Sequence, residues 1–424
     1  MPNYEIIVDL RKYRKHMFLG LRCTAWKILA WILISCCQLS ALGQQKYYIQ
    51  GKVTDKNTGE VLPFASVFLS QTTMGNTSDE QGTYKIGNVP PGTYDLVVQY
   101  LGYQNVVISL NVQDQSILLN IALEKKANNL GEVVVKAFPD ATKSPYYGIF
   151  KMYFLGESKA AKACKILNPE LIDLDYDNLS RVLKASSEDF LIIENPTLGY
   201  RVKFLLHEFA FDYKQQMTFY YGNPFFEPMS PRNARQQRTW ERNRLKTYLG
   251  SSMHYLRSLR LKRLQENGFE TRKIVRVERK QFNGAVPLRL FDQDSTELKM
   301  IRGKNRGFIL SKTVEYLYPG IVPYDSIFHP GAPGNVDTLH FKNILQVTYT
   351  KGWESEEYQK AKGLTPDRRA QQTSLFYLLR ETMPFDDNGN LAYPAEGIFS
   401  GYWGWSKFAE MLPLDYQPNI KTKQ

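Results

Sequence analysis

Between Tyr47 and Leu123 apolar and polar residues alternate in short runs, and this period of two admits little besides strands with one buried and one wet face. Ile49, Gly51 and Val53 alternate with polar neighbours, as do Ala65, Val67 and Leu69; Tyr94, Leu96, Val98 and Tyr100 follow, then Val106, Ile108 and Leu110, and Ile117, Leu119, Ile121 and Leu123. Turn chemistry separates the runs. Asp79-Glu80-Gln81-Gly82 suits a type I turn, and Pro91-Gly92 pairs a fixed φ with a residue that tolerates positive φ. Roughly seven short strands at this spacing predict an antiparallel β-sandwich.

The same residues carry a family pattern. Gly51-x-Val53-x-Asp55, Thr58-Gly59, Leu62-Pro63-x-Ala65-x-Val67, Ser78-Asp79-x-x-Gly82-x-Tyr84-x-Ile86, Val89-Pro90-x-Gly92-x-Tyr94 and Tyr100-x-Gly102-Tyr103 resemble the carboxypeptidase-like regulatory domain. That resemblance implies a prealbumin-like sandwich and the envelope of a gram-negative bacterium. Leu130 to Val135 resembles the stretch behind this domain in outer-membrane receptors driven from the inner membrane. The receptor reading is set aside on length, because a large barrel takes strands of about 10 residues each before any loops.

Ahead of the sandwich, residues 1–43 read as a signal peptide. Arg11, Lys12, Arg14, Lys15, Arg22 and Lys27 precede the apolar run Ile28 to Ile34, and Ala41-Leu42-Gly43 is a small-x-small site that predicts cleavage before Gln44. Met17 is an alternative start. The minority alternative is a lipobox, Leu33-Ile34-Ser35-Cys36, with acylation of Cys36. Either route predicts an exported protein, periplasmic or associated with the outer membrane, with no transmembrane span in the mature chain. Cleavage at Gly43 would leave Cys164 as a lone thiol, expected to be a buried small hydrophobe.

Residues 124–144 read as a connector, and 145–424 as a further α+β domain. Runs at Phe190 to Glu194, Tyr200 to Leu206, Phe209 to Tyr213, Gly307 to Ser311 and Leu345 to Tyr349 predict strands, interrupted by a helical, basic segment over 233–266. The fold class is therefore mainly β with α+β: a prealbumin-like antiparallel sandwich at 47–123 followed by an α+β domain. Ala163 to Pro169, Phe190 to Asn195 with Leu198 to Tyr200, Asn243 to Tyr248 and Met253 to Leu259 resemble the region behind this regulatory domain in exported bacterial proteins, which implies an architecture and no activity.

From Arg232 to Arg263 ten Lys or Arg residues face one acid, Glu241. Arg235, Arg238, Arg242, Arg244 and Lys246 are candidates for binding a polyanion. Nucleic acid is not expected outside the cytoplasm, so an envelope protein, anionic lipid or glycan is the expected partner. The formal charge is +12, of which the signal segment supplies +4.

Signs of catalysis are scarce. His207, His254, His329 and His340 form no H-x-x-E or H-E-x-x-H pair, and no G-x-S-x-G elbow or phosphate loop appears, so no metal, cofactor or catalytic residue is assigned. Asp386-Asp387-Asn388-Gly389 reads as a turn. At Tyr402, Trp403 and Trp405 the chain offers candidate rings for stacking on sugars, against the alternative of a core plug. The expected function is that of a non-enzymatic cell-envelope protein acting by binding or assembly. Glycan binding and a hydrolase with a site assembled from scattered residues are the alternatives.

Overall fold

The computed structural model describes residues 47–113, 115–126, 140–278, 299–300, 313–331, 336–364 and 369–419. The signal segment with Cys36, most of the connector including Leu130 to Val135, and the run at Gly307 to Ser311 lie outside the described residues.

Eight strands build the sandwich: β1 (Tyr47–Asp55), β2 (Ser66–Leu69), β3 (Gly75–Thr77), β4 (Thr83–Val89), β5 (Gly92–Gln99), β6 (Val106–Val112), β7 (Ile117–Leu118) and β8 (Ile121–Leu123). One sheet is ordered β4-β1-β7, with β8 also on β1, and the other β3-β2-β5-β6. Ile49, Val53, Val67, Leu69, Leu96 and Val98, the inward members of the alternation, are buried between them. β7 and β8 run parallel to β1, a departure from the all-antiparallel expectation. The chain crosses from β6 to the opposite sheet and arrives beside β1 in the same direction, which a hairpin cannot do.

The family pattern has a physical basis in this module. Asp55 Oδ2 accepts from Tyr103 Oη at 2.7 Å and faces Lys125 Nζ at 3.3 Å, while Oδ1 accepts the amides of Asn57 and Thr58. The Tyr103 hydroxyl is the largest of the effects that hold this carboxyl well below the usual range. Ser78 Oγ donates to the Leu62 carbonyl at 2.7 Å and accepts the Ala65 amide at 2.8 Å. Gly51 lies against the chain before β8, where a Cβ would stand 1.8 Å from the Leu119 carbonyl oxygen.

Behind the sandwich, helices α1 (Tyr147–Leu155) and α2 (Lys159–Ala163) precede a sheet made of β9 (Lys165–Ile166), β10 (Ile172–Asp177), β11 (Val182–Ser187), β12 (Leu191–Asn195), β13 (Tyr200–Asp212) and β14 (Met217–Pro228). Its order is β10-β11-β13-β12-β9, with β14 along the other side of β13. The two runs at Tyr200 to Leu206 and Phe209 to Tyr213 are one strand with a bulge between Leu206 and Glu208. The bulge switches the inward positions from Tyr200, Val202, Phe204 and Leu206 to Phe209 and Phe211, so the strand carries no unbroken alternation. Phe150 and Phe154 of α1 pack on this face against Phe204, Phe209 and Phe408. Cys164 is buried in the same core, and burial pushes its thiol up to about 12.

Helices α3 (Ala234–Tyr248) and α4 (Ser252–Arg260) follow, and then β15 (Phe269–Glu278), β16 (Lys299–Met300), β17 (Thr313–Ile321), β18 (Phe328–His329), β19 (Asp337–His340) and β20 (Ile344–Trp353). After them come α5 (Glu356–Ala361), β21 (Gln371–Leu378), β22 (Thr382–Phe385), β23 (Gly397–Gly401) and α6 (Tyr402–Trp405). A second large sheet is ordered β16-β17-β15-β20-β21-β23, and β18-β19-β22 form a small one. Tyr255, Leu256 and Leu259 of α4 seal the core of the large sheet.

The sandwich is part of the same compact unit as both sheets. In the turn after β2, Gln71 N donates to the Pro224 carbonyl at 2.6 Å and Gln71 O accepts from Leu414 N at 2.7 Å. Phe226 N donates to the Thr72 carbonyl at 2.9 Å, and Asp415 accepts from both the amide and the hydroxyl of Thr73. Phe68 and Val97 share an apolar cluster with Phe190 and Leu205.

Gly51→Ala is expected to destabilise residues 47–424 by about 2–3 kcal/mol through overpacking against the Leu119 backbone. Gly87→Ala, where a Cβ meets nothing within 4 Å, should be nearly silent in the same urea titration.

Candidate functional site

Helix α3 begins at Asn233, whose side chain accepts the Gln236 amide, and its inner face grips a single loop. Trp240 Nε1 donates to the Pro196 carbonyl at 2.8 Å, Asn243 Nδ2 to Thr197 at 2.8 Å, and Arg244 Nε and Nη2 to Leu198 at 2.7 Å and Gly199 at 2.9 Å. Four successive carbonyls thereby find donors on one helix face, and that of Gly199 also accepts the Met229 amide at 3.0 Å. Gly199 is required there: its φ is +70°, and a Cβ would stand 2.2 Å from the Trp240 ring. The Arg244 guanidinium also lies 4.0 Å above the Tyr200 ring.

At about 100° per residue, Arg235, Arg238, Arg242 and Lys246 fall on one side of α3 and Arg244 on the other. The four are exposed, run about 16 Å along the axis, and form no ion pair with a described residue. The structure thus brings four of the five candidate cations together and removes Arg244, which is half-buried and committed to the loop. Further bases of the 233–266 segment are also structural. Arg257, 8% exposed, donates to the carbonyls of Asn388, Leu414 and Tyr416, and Arg260 bridges Asp337 at 2.6 Å and Asp387 at 2.7 Å.

The sugar-stacking platform at Tyr402, Trp403 and Trp405 does not form. Gly401, with φ +69°, turns β23 into the single turn of α6 and drives Trp403 inward. There its Nε1 donates to the Gly250 carbonyl at 2.7 Å and its ring meets Tyr255 and Phe399, leaving it 9% exposed. Tyr402 and Trp405 lean half-buried on the Tyr358 ring, at 5.0 and 5.5 Å between centroids, rather than lying flat beside each other.

The histidines are dispersed. His207 Nε2 is 2.6 Å from Asn223 Oδ1, His329 and His340 lie on paired strands with rings 5.7 Å apart, and His254 is buried in α4. Among the described residues no three His, Cys, Asp or Glu side chains are grouped to hold a metal ion, and no helix is long and apolar enough to cross a membrane.

Two buried groups titrate in opposite senses. Burial lowers His254 to about 4, with the charges of Lys351 and Arg257 adding to it; its Nδ1 accepts the Gly250 amide at 3.1 Å, which assigns the ring proton to Nε2. Burial raises Glu410 to about 7, although it accepts a hydrogen bond from Ser158 Oγ. For Glu410 the folded value exceeds the unfolded one, so its stabilisation is complete below about pH 4.5 and is lost as pH rises to about 7. For His254 the folded value is depressed, so its stabilisation is complete above about pH 6.5 and is lost as pH falls to about 4. Each linkage is worth on the order of 3 kcal/mol, and over the shared window they oppose one another.

Two outcomes follow. Glu410→Gln should raise the thermal midpoint at pH 7.5 and steepen the loss of stability on acidification, because His254 is then unopposed; pH curves parallel to wild type would contradict this. Arg244→Gln should destabilise by about 2 kcal/mol, while Arg238→Gln changes stability by less than about 0.5 kcal/mol, as read by urea unfolding.

The comparisons with known proteins each cover a fraction of the chain. TonB-dependent receptor P3 of Formosa agariphila is 31% identical over 104 residues, which are 24% of this chain and 10% of that receptor, so the chain spans a tenth of its relative's length. Among solved structures, BcpA, the major pilin subunit of Bacillus cereus, matches 19% of this chain and 31% of its own at 20% identity and a TM-score of 0.18. Hydroxyquinol 1,2-dioxygenase from Pseudomonas putida matches 20% of this chain and 58% of its own at 13% identity and a TM-score of 0.17. Scores this low carry no weight for function. The profile of the CarboxypepD_reg-like domain matches from Ile49 to Val135, a span that takes in all but the first two residues of β1 and the rest of the sandwich. Residues 49–135 are a CarboxypepD_reg-like domain.

Proposed function

We propose that this is a non-catalytic protein of the cell envelope that works by binding an anionic envelope component through the outward face of α3. The observation that carries the reading is the division of that helix. Its inner face is locked to the carbonyls of residues 196–199, and its outer face holds Arg235, Arg238, Arg242 and Lys246 without partners among the described residues. A rigid cationic ridge gives a polyanion several contacts at little ordering cost. Near an anionic membrane each such side chain contributes about 1 kcal/mol, enough in sum for weak, reversible, salt-sensitive attachment. The envelope setting is supported by the match of residues 49–135 to the CarboxypepD_reg-like domain and by the partial similarity to a TonB-dependent receptor of Formosa agariphila.

Co-sedimentation with phosphatidylglycerol-containing vesicles tests the reading. Attachment of the protein is expected to fall at least about tenfold between low and moderately high salt, and equally when the four residues are changed together to Gln. Attachment that ignores both salt and substitution would overturn it.

A further inference from the structure

A cavity of about 300 Å³ opens where the sandwich meets the first sheet and the end of β22 in the small sheet, walled by β5 and the turn after β2 on one side, β14 on another and the Phe385 to Ala392 segment on the third. It is preformed. The backbone bonds of Gln71 to Pro224 and Leu414 fix one wall, and Asn388 Nδ2 reaches Tyr94 Oη across the junction at 3.3 Å. At the mouth stands Tyr221, 49% exposed, with the His207 ring stacked 5.3 Å away and His207 bonded to the neighbouring Asn223.

The lining chemistry narrows the occupant. No Lys, Arg or His lines the cavity, so nothing there compensates the desolvation of a phosphate or carboxylate. Polar groups without partners disfavour a wholly apolar guest. Among the described residues the side-chain amides of Gln71 and Asn390 have no hydrogen-bond partner, and Asp95 uses one oxygen, Oδ1, to accept from Ser109 Oγ at 2.6 Å, leaving Oδ2. Asp386 Oδ1 accepts the amides of Asn388 and Asn390, while its Oδ2 is buried without a hydrogen-bond partner among the described residues. What remains is two amides that donate and accept, two carboxylate oxygens, Oδ2 of Asp95 and Oδ2 of Asp386, and a tyrosine ring at the mouth. We propose that this cavity binds a neutral, hydroxyl-rich small molecule of monosaccharide to disaccharide size, with Asp95 and Asn390 bonding its hydroxyls and Tyr221 covering an apolar ring face. This site is separate from the α3 ridge and does not depend on it.

Isothermal titration of the whole protein with glucose, galactose, N-acetylglucosamine and cellobiose, beside cationic glucosamine and anionic glucuronate, is the test. Saturable binding of at least one neutral sugar is expected, weakened at least about tenfold by Asp95→Asn or Asn390→Ala and unchanged by Arg238→Gln with Arg242→Gln. Variants with wild-type thermal midpoints keep the result free of misfolding, and Tyr221→Ala, at an exposed position, supplies a third. No saturable binding of any neutral sugar, tighter binding of glucosamine or glucuronate, or indifference to all three cavity variants would each overturn the assignment. Failure of vesicle attachment with intact sugar binding would strike only the α3 reading.

Discussion

The turn from Ser70 to Thr73 is the joint on which the architecture rests. It gives both backbone bonding groups of Gln71 away, one to β14 and one to Leu414, and accepts Phe226 at Thr72. Gln71 adopts φ +62°, a conformation that costs a non-glycine residue about 1 kcal/mol and persists because both its amide and its carbonyl are held. Asn223 Nδ2, donating to Ser70 Oγ at 3.2 Å, completes the ring of contacts. Without this turn the sandwich would meet the first sheet through the Phe68, Val97, Phe190 and Leu205 cluster and the bond from Gln99 to Asp189, and the wall of the junction cavity would be free to shift.

Arginine does much of the remaining joining. Arg244 spreads a planar fork over the Leu198 and Gly199 carbonyls of one loop, and Arg257 ties the Asn388 carbonyl to those of Leu414 and Tyr416. A hydrogen bond from a charged donor contributes about 1.5–3 kcal/mol, more than a surface ion pair, so two residues that look like part of a binding patch are worth more as braces. What is left for a partner is the remainder of the basic segment, and its placement on one side of α3 follows from where the braces had to point.

The sandwich is legible in the sequence because its signals are local: alternation sets the faces of β1, β2 and β5, and Asp55 and Tyr103 stand in the family pattern because they bond each other. The helical character of the basic segment is legible too, although it reads as one stretch over 233–266 where the structure has two helices, α3 and α4. Helical spacing separates Arg244 from Arg238 and Arg242, a signal that grouping the five by charge alone passes over. Trp403 reads as a surface candidate because nothing in its neighbours shows that Gly401 turns the chain inward. The long strand β13 reads as two because a bulge breaks the parity of its pattern. Gln71, Asp95, Asn223 and Asn390 meet only through tertiary structure and carry no shared sequence signal, so the cavity they line is beyond the reach of a sequence pattern.

The bond between Thr73 and Asp415 links residues 342 positions apart, and Tyr94 meets Asn388 across 294. Closing loops of that length carries a large entropic barrier, repaid only once both ends are already ordered. The joint at the Ser70 to Thr73 turn therefore forms late on the folding path, after the sandwich hairpins and the β13–β14 ladder have assembled from nearer contacts. Until then the chain keeps an exposed apolar face on β2 and β5 around Phe68 and Val97, a surface open to chaperones and to aggregation alike.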